Sequence, residues 1–228
     1  MSGVVREVAS DGAATRTRRV AVLLFDEVEV LDFAGPFEVF AITGQDDTPP
    51  APFRVFTVAE RRPVTAKNGL VVDPTWTFED APRPDILVVP GGGGRHPDGT
   101  PWGRRREMHN PAMLAYVRGA HEGTELTLGV CSGAAILANA GLLEGLPITT
   151  HHGVIDELRQ LVPTATVHDH ARMVDTGRVV TSGGISAGID ASLGVVARLL
   201  GEDAARATAS EMEYPWTPAP AATRGADA

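Results

Sequence analysis

The sequence predicts an α/β fold built on a mostly parallel sheet. Three observations carry that expectation: short, near-continuous apolar runs recur, they alternate with stretches of helical spacing, and several of them stop at glycine or proline. Strands buried on both faces read as continuous apolar runs rather than alternating ones. Separating them by helical segments implies crossover connections and hence parallel pairing. At 228 residues the chain can bury one core as a single domain.

Residues 1–17 are small, polar and aperiodic, and are expected to form a flexible tail before a folded domain over 18–214. The run 19–25 (Arg–Val–Ala–Val–Leu–Leu–Phe) is the first strand, and 33–42 follows with helical spacing. Residues 53–59 form a second strand and 70–72 a short one. The run 85–90 (Asp–Ile–Leu–Val–Val–Pro) is a buried strand ended by proline and the glycines of 91–94. A helix over 110–122 places Leu114 and Val117 on one face. An apolar strand then runs to Val130, and the helix 134–140 is closed by Gly141. Strands at 148–150 and 179–181, a helix over 191–200 stopped by Gly201, and a short helix over 202–210 complete the domain. The Pro/Ala-rich stretch 215–228 is expected to be a second flexible tail.

Composition excludes several classes. One cysteine cannot form an internal disulfide, so no oxidising compartment is demanded. No apolar run approaches the ~18 residues of a membrane span. The arginines before residue 20 are not followed by a signal-peptide apolar region, so a cytoplasmic location with no membrane partner is expected. The net charge of −9 has no basic stripe to offset it, and phosphate neutralisation drives sequence-independent DNA binding, so nucleic acid is excluded as a partner. Arg104–Arg105–Arg106, beside Glu107, reads as a solvated helix face.

The elbow at the lone cysteine and four further loops after strands carry the chemistry, because ligands of parallel sheets sit at the carboxyl ends of the strands. Gly129–Val130–Cys131–Ser132–Gly133 places the lone thiol where a strand meets a helix, the setting of a nucleophile elbow. The helix N-terminus beneath the sulfur would favour thiolate. The alternative is a small buried hydrophobe. Asp32, between Leu31 and Phe33, is either a proton-passing carboxylate in apolar surroundings or an N-cap of its own helix. Gly92 and Gly93, in the glycine run, offer backbone donors for an oxyanion together with the Ser132 amide. A phosphate loop is discounted for want of a following Gly–Lys–Ser/Thr. His151 and His152 could face the thiol, join His168 and His170 at zinc-like spacing, or form an exposed pair. Gly184 and Ile185, in Gly183–Gly184–Ile185–Ser186–Ala187–Gly188, suit a substrate wall, and Asp190 suits a helix cap.

Together these segments resemble the ThiJ/PfpI superfamily, on Leu31–Asp32–Phe33–Ala34–Gly35–Pro36, Val88–Val89–Pro90–Gly91–Gly92, the Cys131 elbow, Thr149–Thr150–His151 and Gly183–Gly184–Ile185–Ser186. The pattern runs in order from about Arg19 to Tyr214. The resemblance implies a single-domain three-layer sandwich of flavodoxin-like, class I glutamine-amidotransferase-like type, and a homodimer. It is closest to the isonitrile hydratase branch. The protease branch carries histidine where this chain has Ser132, and the glyoxalase and chaperone branches carry glutamate where it has Asp32. His152 stands in place of a frequent tryptophan. Amidase-like regulators share the pattern but add a helix-turn-helix domain, where a short Pro/Ala stretch follows Tyr214 here.

The resemblance implies that Cys131 attacks the terminal carbon of an isonitrile while Asp32 supplies a proton. Water then adds to the thioimidate and an N-substituted formamide leaves, without metal or cofactor. Gly92 and the Ser132 amide would position the intermediate, the Ser132 hydroxyl would assist water, and Gly93, His151, Gly184 and Ile185 would line the substrate. The alternatives are an α-oxoaldehyde-handling enzyme and a non-catalytic ligand- or redox-sensing protein.

Overall fold

The computed structural model of the protein describes residues 16–45, 50–94 and 97–218, so most of both expected tails lies outside the described residues. Strand β1 (Arg18–Leu23) is fully buried from Val20 onward and leads into helix α1 (Val30–Ile42). Next come β2 (Phe53–Ala59) and three two-residue strands: β3 (Val64–Thr65), β4 (Val71–Val72) and β5 (Trp76–Thr77). Strand β6 (Ile86–Val89) is followed by the single turn α2 (Arg104–Glu107) and by α3 (Pro111–Gly123), which Asn110 caps by accepting the Ala112 N–H at 3.0 Å. Strand β7 (Leu126–Val130) runs through a 3₁₀ turn (Cys131–Gly133) into α4 (Ala134–Asn139). After β8 (Pro147–Ile148), α5 (Ile155–Leu161), β9 (Thr166–Val167) and β10 (Met173–Asp175), strand β11 (Val179–Ser182) leads to α6 (Ala187–Leu200) and α7 (Glu202–Glu211).

The main sheet has seven strands in the order β10-β11-β7-β6-β1-β2-β5. Every neighbouring pair is parallel except β10 with β11. Helix α1 packs with α6 and α7, and α4 packs with α2, α3 and α5, giving a helical layer on each side of the sheet. The chain steps outward from β1 to β2 and then returns to the other side of β1 for β6, so the topological switch lies between β1 and β6. The register sets the ends level: Val89 pairs with Gly129 and Ser182 with Val130. The loops after β6, β7 and β11 therefore start side by side.

Two close approaches fix the elbow. A Cβ on Gly133 would stand 2.1 Å from the Val89 carbonyl oxygen, and one on Gly188 would stand 2.8 Å from Val130 Cγ1. Backbone oxygen cannot move aside as a side-chain tip can. Gly133→Ala is accordingly expected to lower stability by about 2 kcal/mol or more, read as a fall of several degrees in the thermal midpoint.

Helical starts differ from the sequence expectation. Helix α1 begins at Val30 rather than 33, and α6 at Ala187 rather than 191. Asp190 does not cap α6; it lies in the first turn, and its carboxylate takes Arg172 and the Tyr214 hydroxyl. At the two edges of the domain, Arg16 reaches Asp85 and Glu125, Thr17 donates to the Ala51 carbonyl, and Trp216 packs half-buried against the core.

The basic cluster is a solvated face only in part: Arg106 is exposed and Arg105 half-exposed, but Arg104 is buried. Arg104 is 3% exposed and forks onto both Glu157 oxygens of α5 at 2.6 and 2.7 Å, while Glu107 is buried and accepts from Arg106 and Asn110. The partner lies 53 residues away in the chain, so no local pattern announces it. Glu157→Gln would strand most of a buried guanidinium and is expected to cost about 2–4 kcal/mol, measurable by urea unfolding.

Candidate active site

Asp32 sits in the first turn of α1 with no exposed surface. It does not cap its own helix. Its Oδ2 accepts the Gly91 N–H at 3.1 Å and its Oδ1 accepts the Ile185 N–H at 3.1 Å, so two distant loops hold the carboxylate. The Cys131 side chain lies close enough to act on its titration as well. Burial dominates and, with the Glu29 charge, raises the Asp32 carboxyl from 3.8 to about 6 against those hydrogen bonds.

Cys131 ends β7 with φ 57°, a left-handed conformation that a non-glycine residue holds only under local constraint. The constraints are visible. Its N–H donates to the Gly183 carbonyl at 3.1 Å, and its own carbonyl accepts the Thr150 hydroxyl at 2.7 Å. The backbone amides of Ser132 and Ile185 lie close enough to the sulfur to lower its value. Ile185 is itself left-handed, at φ 55°, which turns its N–H onto the Asp32 carboxylate close to the thiol. Cys131 as a residue is 7% exposed.

The thiolate expected from the helix N-terminus is not the resting form. Burial, and then the Asp32 charge, push the thiol up to about 12, and the two amides offset only part of that. The 3₁₀ turn and the short α4 are too small a dipole to outweigh a buried carboxylate at contact. With the carboxyl at about 6 and the thiol at about 12, the proton of the pair rests on sulfur at neutral pH.

The backbone donors are distributed differently from the sequence expectation. The Gly92 N–H, expected to face an oxyanion, donates instead to Ser132 Oγ at 3.1 Å. Gly91, one residue earlier, is the amide that meets Asp32; a Cβ there would stand 2.4 Å from Ser132 Oγ. Gly93 turns away and packs on Gly103, where a Cβ would approach its Cα to 2.6 Å. Gly184 lies under the His151 ring, whose Cδ2 would meet a Cβ at 2.1 Å.

His151 accepts the Gly153 N–H at Nδ1, 3.1 Å away, which assigns the ring proton to Nε2. It stacks on His152 with centroids 4.1 Å apart. Burial, His152 and Lys67 together hold it below the ordinary imidazole value, so it is neutral at pH 7. No cluster of three or more His, Cys, Asp or Glu side chains suited to a metal occurs among the described residues.

Sequence reasoning passed over Lys67. Its ammonium pairs with Glu29 at 2.8 Å and is close enough to Cys131 and Asp32 to feel both charges. The Glu29 hydrogen bond holds it above its ordinary value. The only local signal is the Asn68–Gly69 pair beside it, where Asn68 takes φ 61°.

A buried thiol at a strand-to-helix elbow, faced by a buried carboxylate at the carboxyl edge of a parallel sheet, defines a cysteine-elbow α/β protein. The chain belongs to the DJ-1/PfpI family, which matches residues 18–198. It is 35% identical over 204 residues to an isonitrile hydratase of Pseudomonas putida, covering 89% of this chain and 80% of that protein. It is 28% identical over 196 residues to the HTH-type transcriptional regulator GbdR of Pseudomonas aeruginosa, covering 86% of this chain and 50% of the regulator. Among solved structures, a ThiJ/PfpI family protein from Pseudomonas syringae superposes with a TM-score of 0.75 at 28% identity, over 98% of this chain and 86% of that one.

Proposed function

We propose that the protein hydrates isonitriles to N-substituted formamides through Cys131. The observation that carries this is the Cys131–Asp32 pair: a soft nucleophile on an elbow beside a buried carboxyl that the Gly91 and Ile185 amides hold and burial raises to about 6. An isonitrile carbon needs both partners at once. It accepts a sulfur electron pair and becomes carbanion-like, and a proton must arrive on that same carbon.

Sulfur attacks as Asp32 takes the thiol proton, and Asp32 then delivers that proton to the carbon, giving a thioimidate. Water adds across its C=N bond, the oxygen going to carbon and one proton to nitrogen. Collapse breaks the C–S bond, returns the remaining proton to the Asp32–Cys131 pair and releases the formamide. The Ser132 and Ile185 amides steady charge on sulfur in both steps. The similarity to the Pseudomonas putida hydratase supports the same reading.

The GbdR similarity favours a second reading, a ligand-sensing domain that binds without turnover. A small isonitrile panel with formamide detection separates the two. Formamide formed in proportion to enzyme and time supports the hydratase, and binding with no product supports the sensor.

A further inference from the structure

At the Lys67–Glu29 pair a cavity of about 350 Å³ opens, lined by Glu27, Lys67, Gly93 and Trp102 among others. It is large enough for a small substituent. It shares a loop with the site: Gly93, in its lining, follows Gly91 and Gly92, whose N–H groups donate to Asp32 and to Ser132 Oγ.

Its charge balance is uneven. The Lys67 ammonium is matched by Glu29 at 2.8 Å. Glu27 has no hydrogen bond or ion pair to its carboxylate among the described residues. It is nonetheless held in place: its φ is 66°, its N–H donates to the Thr65 carbonyl at 2.8 Å, and its carbonyl oxygen lies against the tight turn at Gly92. The Trp102 indole forms another wall, packed edge-on against Gly94. A carboxylate and an indole lining one small cavity favour a compact organic cation over a neutral or anionic group. The net charge of −9 would also raise the local concentration of such a ligand.

We propose that this cavity is the subsite for the substrate's N-substituent and that Glu27, with Trp102, selects substituents carrying an ammonium group. The identity of the reacting head group rests on the hydratase reading; the preference for a cation does not.

The test uses an isosteric pair, 2-(trimethylammonio)ethyl isocyanide and 3,3-dimethylbutyl isocyanide, which differ only in N⁺ against C. The wild-type protein is expected to show kcat/KM about tenfold higher for the cation. That ratio should shrink as salt is raised and fall to near one in Glu27→Gln. Equal kcat/KM values in the wild type, or a ratio unchanged by both salt and Glu27→Gln, would overturn the proposal. If neither isonitrile is hydrated, the hydratase reading fails on its own. Calorimetry with the two corresponding formamides then decides the subsite: tighter binding of the cationic one, lost in Glu27→Gln, supports it, and equal or absent binding refutes it. The salt dependence needs no variant, so misfolding of Glu27→Gln would leave the test intact.

Discussion

Cys131→Ala is expected to abolish formamide release from every isonitrile the wild-type protein hydrates, a loss of about 10⁴-fold or more. The covalent route has no substitute nucleophile, because Ser132 Oγ already accepts the Gly92 N–H and points along a different loop. Cys131→Ser should fail almost as completely, since an alcohol beside a carboxyl near 6 is far harder to deprotonate than a thiol. Both variants should fold, as the side chain is small and its backbone bonds to Gly183 and Thr150 remain. Circular dichroism establishes the fold, and mass detection of the formamide gives the rate. A Cys131→Ala protein that still turns over would end the mechanism.

Asp32→Asn should lower kcat by about 10²–10⁴, the usual worth of a positioned acid–base group. An amide can neither take the thiol proton nor deliver it to carbon. The pH profile gives the sharper signature. Asp32 must be ionised to accept that proton and is protonated as pH falls through about 6. The wild-type rate should be level above that value and fall tenfold per pH unit below it. The Asn variant should lack this limb, and a wild-type profile flat from pH 5 to 8 would contradict the role. Stability runs the opposite way. A carboxyl raised above its ordinary 3.8 favours the fold when protonated, so that contribution is complete below about pH 4 and is withdrawn as pH rises through about 6. Catalytic readiness and fold stability therefore oppose each other at this one group.

The layout of the sheet was legible because its central strands are short and apolar on both faces. Val20–Leu23, Ile86–Val89 and Val179–Val180 leave little else to infer. Cys131 was legible for a related reason: a change of period flanked by glycines marks an elbow. The two- and three-residue strands β3, β5, β9 and β10 were not, since so few residues establish no period. Gly188 hid the true start of α6, because it interrupts the apolar spacing at a point where close contact with Val130 requires it. The pairing of Arg104 with Glu157, the use of the Gly92 amide by Ser132, and the reach of Lys67 into the site are long-range facts. The protonation state was misread for the same cause. A local motif suggests a helix dipole under the sulfur, whereas the thiol is raised first by burial and then by the charge of Asp32, 99 positions earlier in the chain.

The Ile185 amide that joins Asp32 to Cys131 lies 153 residues beyond that aspartate. A chain growing from its N-terminus thus carries Asp32 through most of its synthesis as an ordinary surface-type acid, and Cys131 as an ordinary thiol. Long-separated contacts of this kind close late in folding. Because burial and the Asp32 charge raise the thiol only in the finished fold, the slowing of its alkylation would time the completion of the molecule.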